Sequence, residues 1–112
     1  MDKLALYRRI VREALTEIAD FKYSNPEMTH ETVFDETNDR YLVMTVGWET
    51  QVRRVHFCLV HVDILNEKIW IQRDGAEDGV GYAFESAGVP KSDIVPAFHP
   101  IDVRPHTGYA VA

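Results

Sequence analysis

Between residues 4 and 18 apolar side chains recur at spacings of three and four: Leu4, Tyr7, Val11, Ala14, Leu15 and Ile18. One face of an amphipathic helix has that spacing, so a helix is predicted over residues 2–20, ending near Phe21. Asp2 stands where its carboxylate can accept otherwise unpaired amide hydrogens of the first turn. Arg8 and Arg12 share a neighbouring polar stripe. Residues 22–28, which include Ser24, Asn25 and Pro26, favour a turn.

The pattern then becomes β-like. Residues 32–34, 41–48 (YLVMTVGW), 54–63 (RVHFCLVHVD) and 68–72 (KIWIQ) are rich in β-branched and aromatic side chains and read as strands. The run 54–63 is apolar enough to be buried on much of both faces. Turns fall at 35–39 (DETND) and 65–67. Connections this short favour antiparallel neighbours, which predicts a four-stranded meander. Acidic residues 74–78 follow, then a short helix over 79–87 with Val80, Ala83, Phe84 and Ala87 on one face. Gly88 suits the left-handed position after a helix, and Pro90 stops continuation. Residues 91–95 add a further turn. The tail 96–112, with three prolines and no period, runs over the surface or adds an edge segment. The predicted fold is therefore α+β: a long N-terminal helix packed on a four-stranded antiparallel meander sheet, one or two short helices, and an irregular tail. The whole, 1–112, reads as one domain.

Composition narrows the function. With 112 residues, folding can bury about 65% of the unfolded chain's surface, enough for a core without metals or disulfides. No apolar run approaches the roughly 18 residues that a spanning helix needs. Charge interrupts the opening MDKLALYRRI, where a signal peptide would be apolar, so the expected location is the cytoplasm. Cys58, the single cysteine, rules out an internal disulfide and a zinc ribbon and reads as a small buried hydrophobe. A net charge of -6 works against non-specific binding to phosphates.

Candidate chemistry is sparse. His61 and Asp63, two apart on a strand, share a face and form the best metal candidate, but two ligands do not complete a coordination sphere. A hydrogen-bonded pair is the simpler reading. His56 and His61 differ by an odd number, which sends them to opposite faces of a regular strand. Gly79-Val-Gly-Tyr-Ala-Phe84 lacks the third glycine of a nucleotide loop and follows acidic residues that would repel a pyrophosphate. Asp74, Glu77 and Asp78 lack the spacing of a calcium loop and are expected to complement the following helix dipole. Burial should make the Cys58 thiol inert. No catalytic, metal or cofactor residue is assigned, and no enzyme activity is expected. Arg8, Arg9 and Arg12, with Arg53 and Arg54, could form a modest basic patch, although salt bridges to Glu13 and Glu49 are the commoner fate of such groups. Trp48, Trp70, Tyr82 and Phe98 suit a core better than a platform. One main helix could still leave the other face of the sheet partly open, and an open apolar face would bind a partner.

The order of unusual segments, GW, then HVD, then KIWIQRDGAEDGV, then AGVPKSDIVPAFHP, resembles the XisI family of fdxN element excision controlling factors over nearly the whole chain. That resemblance implies a small α+β regulatory protein of filamentous cyanobacteria. It implies a part in heterocyst-linked excision of a DNA element, acting with an XisH-like companion and a site-specific recombinase complex. The matching positions Gly47, Trp48, His61, Asp63, Trp70, Asp74, Gly75, Gly79, Pro90 and His99 are candidates for structure or partner contact, with no catalytic motif among them. Three functions compete: an accessory factor that binds a companion protein, a weak direct DNA binder using the five arginines, and a small metal protein using His61, Asp63 and His99. A homodimer is compatible with exposed strand edges.

Overall fold

Helix α1 spans Lys3–Asp20, with the Asp2 carboxylate accepting the Leu4 amide at 3.0 Å as its cap. The computed structural model describes residues 2–22 and 25–112, so the Ser24 part of the expected turn lies outside the described residues. The chain continues through β1 (Met28–Asp35), β2 (Arg40–Trp48), β3 (Arg54–Leu65), β4 (Lys68–Asp74), α2 (Val80–Ser86) and β5 (Ile94–Val95). Short 3-10 turns cover Lys91–Asp93 and Arg104–His106.

The sheet has five strands in the order β1-β2-β3-β4-β5, one more than the predicted meander, and it is mixed. The first four strands are antiparallel neighbours as expected, whereas β5 runs parallel to β4, with Ile69 opposite Ile94 and Trp70 opposite Val95. Helix α2 and the turn that follows form the crossover. The extra strand is two residues long, too short to carry a period, and it sits where residues 91–95 were expected to add a helical turn. Only the Lys91–Asp93 part of that segment is helical. Ile94 and Val95 are fully buried, and the Ala110 amide donates to the Ile94 carbonyl at 2.9 Å, so the tail packs along this edge. Strand β1 starts at Met28 rather than at residue 32; its mostly exposed side chains hide it from a reading based on apolar residues.

Tyr7, Ile10, Val11 and Leu15 of α1 and Val80 and Phe84 of α2 pack on Tyr41, Val43, Val60, Val62, Ile64, Ile69 and Ile71. These residues define a core on one face of the sheet. The β3 run is therefore buried on one face, not on both as its composition suggested. Gly88 takes a positive φ of 102°, and the Val89 amide reaches back to the Phe84 carbonyl at 3.0 Å, which ends α2 as predicted.

Polar ties fix α1 over the sheet. Asp39, at φ 53°, accepts two bonds from Arg8 at 2.8 and 3.1 Å and one from the Tyr41 hydroxyl at 2.9 Å. The Arg8 guanidinium chiefly holds the Asp39 carboxyl below its usual range. A folded-state pKa below the unfolded value stabilises at neutral pH and loses that contribution as pH falls through the folded value. Asp39→Asn is thus expected to melt lower than the parent at pH 7 and to lose less stability on acidification below about pH 4. Thermal melts at stepped pH check this, and parallel acid limbs for the two proteins would contradict it.

Candidate functional site

The face of the sheet opposite α1 and α2 carries an apolar row on its two N-terminal strands. In the β1–β2 ladder Val33 lies opposite Leu42, and Met44 and Val46 follow on the same face at alternate positions. Val33 is 51% exposed and Trp48, at the end of the row, 41%; Leu42, Met44 and Val46 are half-buried. Trp48 is an outward-facing platform rather than a core residue, as are Tyr82 and Phe98 elsewhere on the surface. The Arg54 guanidinium lies 5.3 Å from the Trp48 ring centroid and donates to the Gly47 carbonyl at 3.4 Å.

Gly47 makes this corner possible. It adopts a φ of 152°, and a Cβ there would stand 2.0 Å from the Glu27 carbonyl oxygen. That same carbonyl accepts the Trp48 amide at 3.1 Å, while Asn25 donates its side-chain amide to the Trp48 carbonyl at 3.2 Å. Close backbone approach at Gly47 therefore sets the direction of Trp48.

A register shift in the β2–β3 pairing shapes the rest of the face. Val43 pairs with Val60 but Met44 with Cys58, so Leu59 is the extra residue of a bulge. The bulge reverses the odd-number expectation: His61 lies opposite Leu42 and His56 opposite Val46, which places both histidines on the same open face. Four residues of β2 separate them, about 13 Å at ~3.3 Å per residue, too far to share a metal. Cys58 reaches the same face and is half-buried rather than a core residue; its burial still raises the thiol pKa.

His61 and Asp63 meet at 2.8 Å between Nε2 and Oδ1. Asp63 is only 6% exposed, and its second oxygen accepts from Gln72 at 3.2 Å and lies 3.6 Å from the Arg40 guanidinium. The guanidinium beside this carboxylate opposes a bound cation, so the pair reads as a hydrogen-bonded network spanning three strands. Trp70, opposite Asp63 in the β3–β4 ladder, is half-buried and donates its indole N–H to the Leu65 carbonyl at 3.2 Å.

The two arginine groups do not join. Arg8 and Arg12 bind Asp39 and Glu36 in the β1–β2 turn, whereas Arg53 and Arg54 sit at the β2–β3 turn, at the other end of the nine-residue β2. Arg9 pairs with Glu13 and Arg53 with Glu49, the two partners expected from sequence. Arg54 and Arg73, which bond to backbone carbonyls, have no carboxylate partner among the described residues.

A second group of motif residues gathers at the far end of β4. Asp74 accepts the Ala76 amide at 3.2 Å and the Val80 amide at 2.9 Å, closing the loop onto the start of α2. Gly79 supplies a positive φ of 81° there, and a Cβ on Gly75 would lie 2.7 Å from the Leu59 carbonyl. Asp74, Gly79 and His99 line one small cavity of 340 Å³ with Tyr109. Burial, together with a bond to Glu85, pushes the Tyr109 phenol up to about 12. Pro90 lies apart from both groups, and its carbonyl accepts the Asp93 amide at 2.9 Å.

The family model for XisI protein matches residues 1–111. The chain belongs to the XisI family. Among solved structures it is similar to the fdxN element excision controlling factor XisI from Anabaena variabilis, at 32% identity over 99% of this chain and 100% of that one, with a TM-score of 0.85. It is also similar to a XisI-like protein from Anabaena variabilis, at 30% identity over 97% and 99% of the two chains, with a TM-score of 0.89. No curated protein matches the chain.

Within this XisI fold the motif residues divide by role. Gly47, Gly75, Gly79 and Asp74 satisfy backbone constraints, while Trp48, His61, Asp63 and Trp70 share the open sheet face. Arg104 was absent from the sequence-derived candidates. It donates to the carbonyls of Ala97, His99 and Val111 at 3.0–3.2 Å and binds the tail to itself. A lone arginine in a proline-rich segment offers no periodic signal by which to find it.

Proposed function

We propose that this chain is a non-catalytic accessory factor that acts through a companion protein in site-specific excision of a DNA element. The open sheet face is its docking surface. The observation that carries the reading is the row Val33, Leu42, Met44 and Val46, ending at Trp48, on a face that neither helix packs against. Contiguous apolar surface of this kind marks interaction sites. Aromatic and arginine side chains such as Trp48 with Arg54 are the residue types that anchor interfaces. The related Anabaena protein, an fdxN element excision controlling factor, supports excision control as the process, and an XisH-like protein is the companion inferred.

Direct DNA contact is the weaker reading, because four of the five candidate arginines are held by carboxylates on a chain of net charge -6. Co-expression with a tagged XisH-like companion tests the proposal. The two proteins are expected to co-elute at about micromolar concentration. Separate migration, or a homodimer of this chain that persists unchanged beside the companion, would contradict it.

A further inference from the structure

On the α-helical side of the molecule, away from the open sheet face, a groove of 510 Å³ runs between the second half of α1 and the start of α2. Ala14, Ile18, Leu59, Val80 and Ala83 give it an apolar lining, and Phe21 and Tyr82, 67% and 69% exposed, flank it. Its charged lining residues are Glu17, Glu77 and Asp78, with no lysine or arginine among them. Glu17, Glu77 and Asp78 are exposed and form no ion pair among the described residues, so a cation from outside the chain meets no competitor at them.

We propose that this groove receives a basic segment of a partner protein, its apolar side chains on the Ile18–Leu59–Ala83 lining and its lysines or arginines against Glu17, Glu77 and Asp78. Each simpler occupant leaves part of the surface unmatched. A small cation leaves the apolar lining wet, an uncharged apolar ligand gains nothing from the three carboxylates, and a nucleic acid meets like charge along the rim. A basic amphipathic segment satisfies both components, as in helix-in-groove recognition. The volume lies within the roughly 300–1,000 Å³ of ordinary binding clefts. The groove shares no lining residue with the open sheet face, so the inference stands independently of the docking role given to that face.

The probe is a fluorescein-labelled peptide of lysine and leucine, with leucine at positions i, i+3, i+4 and i+7, titrated with the full chain by fluorescence anisotropy. Binding is expected, and a counterpart with glutamate in place of lysine should not bind. Glu17→Gln/Glu77→Gln/Asp78→Asn should weaken binding by about ten-fold or more. Glu27→Gln/Glu31→Gln/Glu67→Gln, which removes the same charge from exposed positions elsewhere, should change it by less than about two-fold. Ala83→Arg, which fills the groove, should abolish binding while the circular dichroism spectrum is kept. Equal losses in the two triple variants, binding of the acidic counterpart, or no binding of the basic peptide would each overturn the proposal. Met44→Lys/Val46→Lys on the sheet face should leave peptide affinity unchanged, which separates a failure here from a failure of the docking face.

Discussion

Gly47→Val is expected to lower stability by about 4 kcal/mol and the thermal midpoint by about 15 °C. Two costs combine. The φ of 152° is one that L side chains rarely adopt, and the new Cβ would stand 2.0 Å from the Glu27 oxygen and 2.8 Å from the Met28 Cα. Both neighbours are backbone atoms, so no rotamer change relieves the contact. Relief requires the start of β1 to move away from β2, which breaks the bond from the Trp48 amide to Glu27 and disturbs the Asn25 bond to the Trp48 carbonyl. The effect therefore reaches the proposed docking face as well as the fold. Thermal unfolding followed by circular dichroism measures it. A midpoint within about 3 °C of the parent would show that this close approach is not obligatory.

How much of this architecture could be read from the chain depended on whether local pattern and tertiary surroundings agreed. Helix α1 was legible because Tyr7, Val11 and Leu15 repeat at helical spacing and Asp2 offers a cap. Strands β2 to β4 were legible from their β-branched and aromatic content. In the β3–β4 turn Asn66 and Glu67 take φ values of 52° and 60°, as a tight two-residue hairpin needs. Strand β5 was not legible, since Ile94 and Val95 become a strand only by lying beside β4. The Leu59 bulge was also hidden: alternation assumes a regular ladder, and one inserted residue changes which side chains share a face.

The candidate site was legible in its residues but not in its layout. Trp48, His61, Asp63 and Trp70 stood out one by one, and the fold brings them to one sheet face. The apolar content of β3 suggested burial on both faces because composition reports that a side chain avoids water, not which molecule covers it. Glu77 and Asp78 were expected to complement the dipole of the following helix, and nothing in the sequence set them beside Glu17; only the packing of α1 near α2 brings the three acids to one groove.

The second large effect concerns the proposed docking face. Met44→Lys/Val46→Lys places two ammonium groups in the middle of the apolar row, on side chains that face away from the core. The fold should tolerate them, because each lysine can extend its head into water when the chain is alone, at a cost of about 1 kcal/mol in strand preference. A docked partner removes that escape, and burying two unpaired charges costs several kcal/mol, or about a hundred-fold or more in affinity. The affinity of the proposed XisH-like companion for the parent chain and for this variant, both with native circular dichroism spectra, is the most direct test of the central claim. The account predicts that the variant stays folded and loses the companion; a folded variant that binds the companion as tightly as the parent would contradict it.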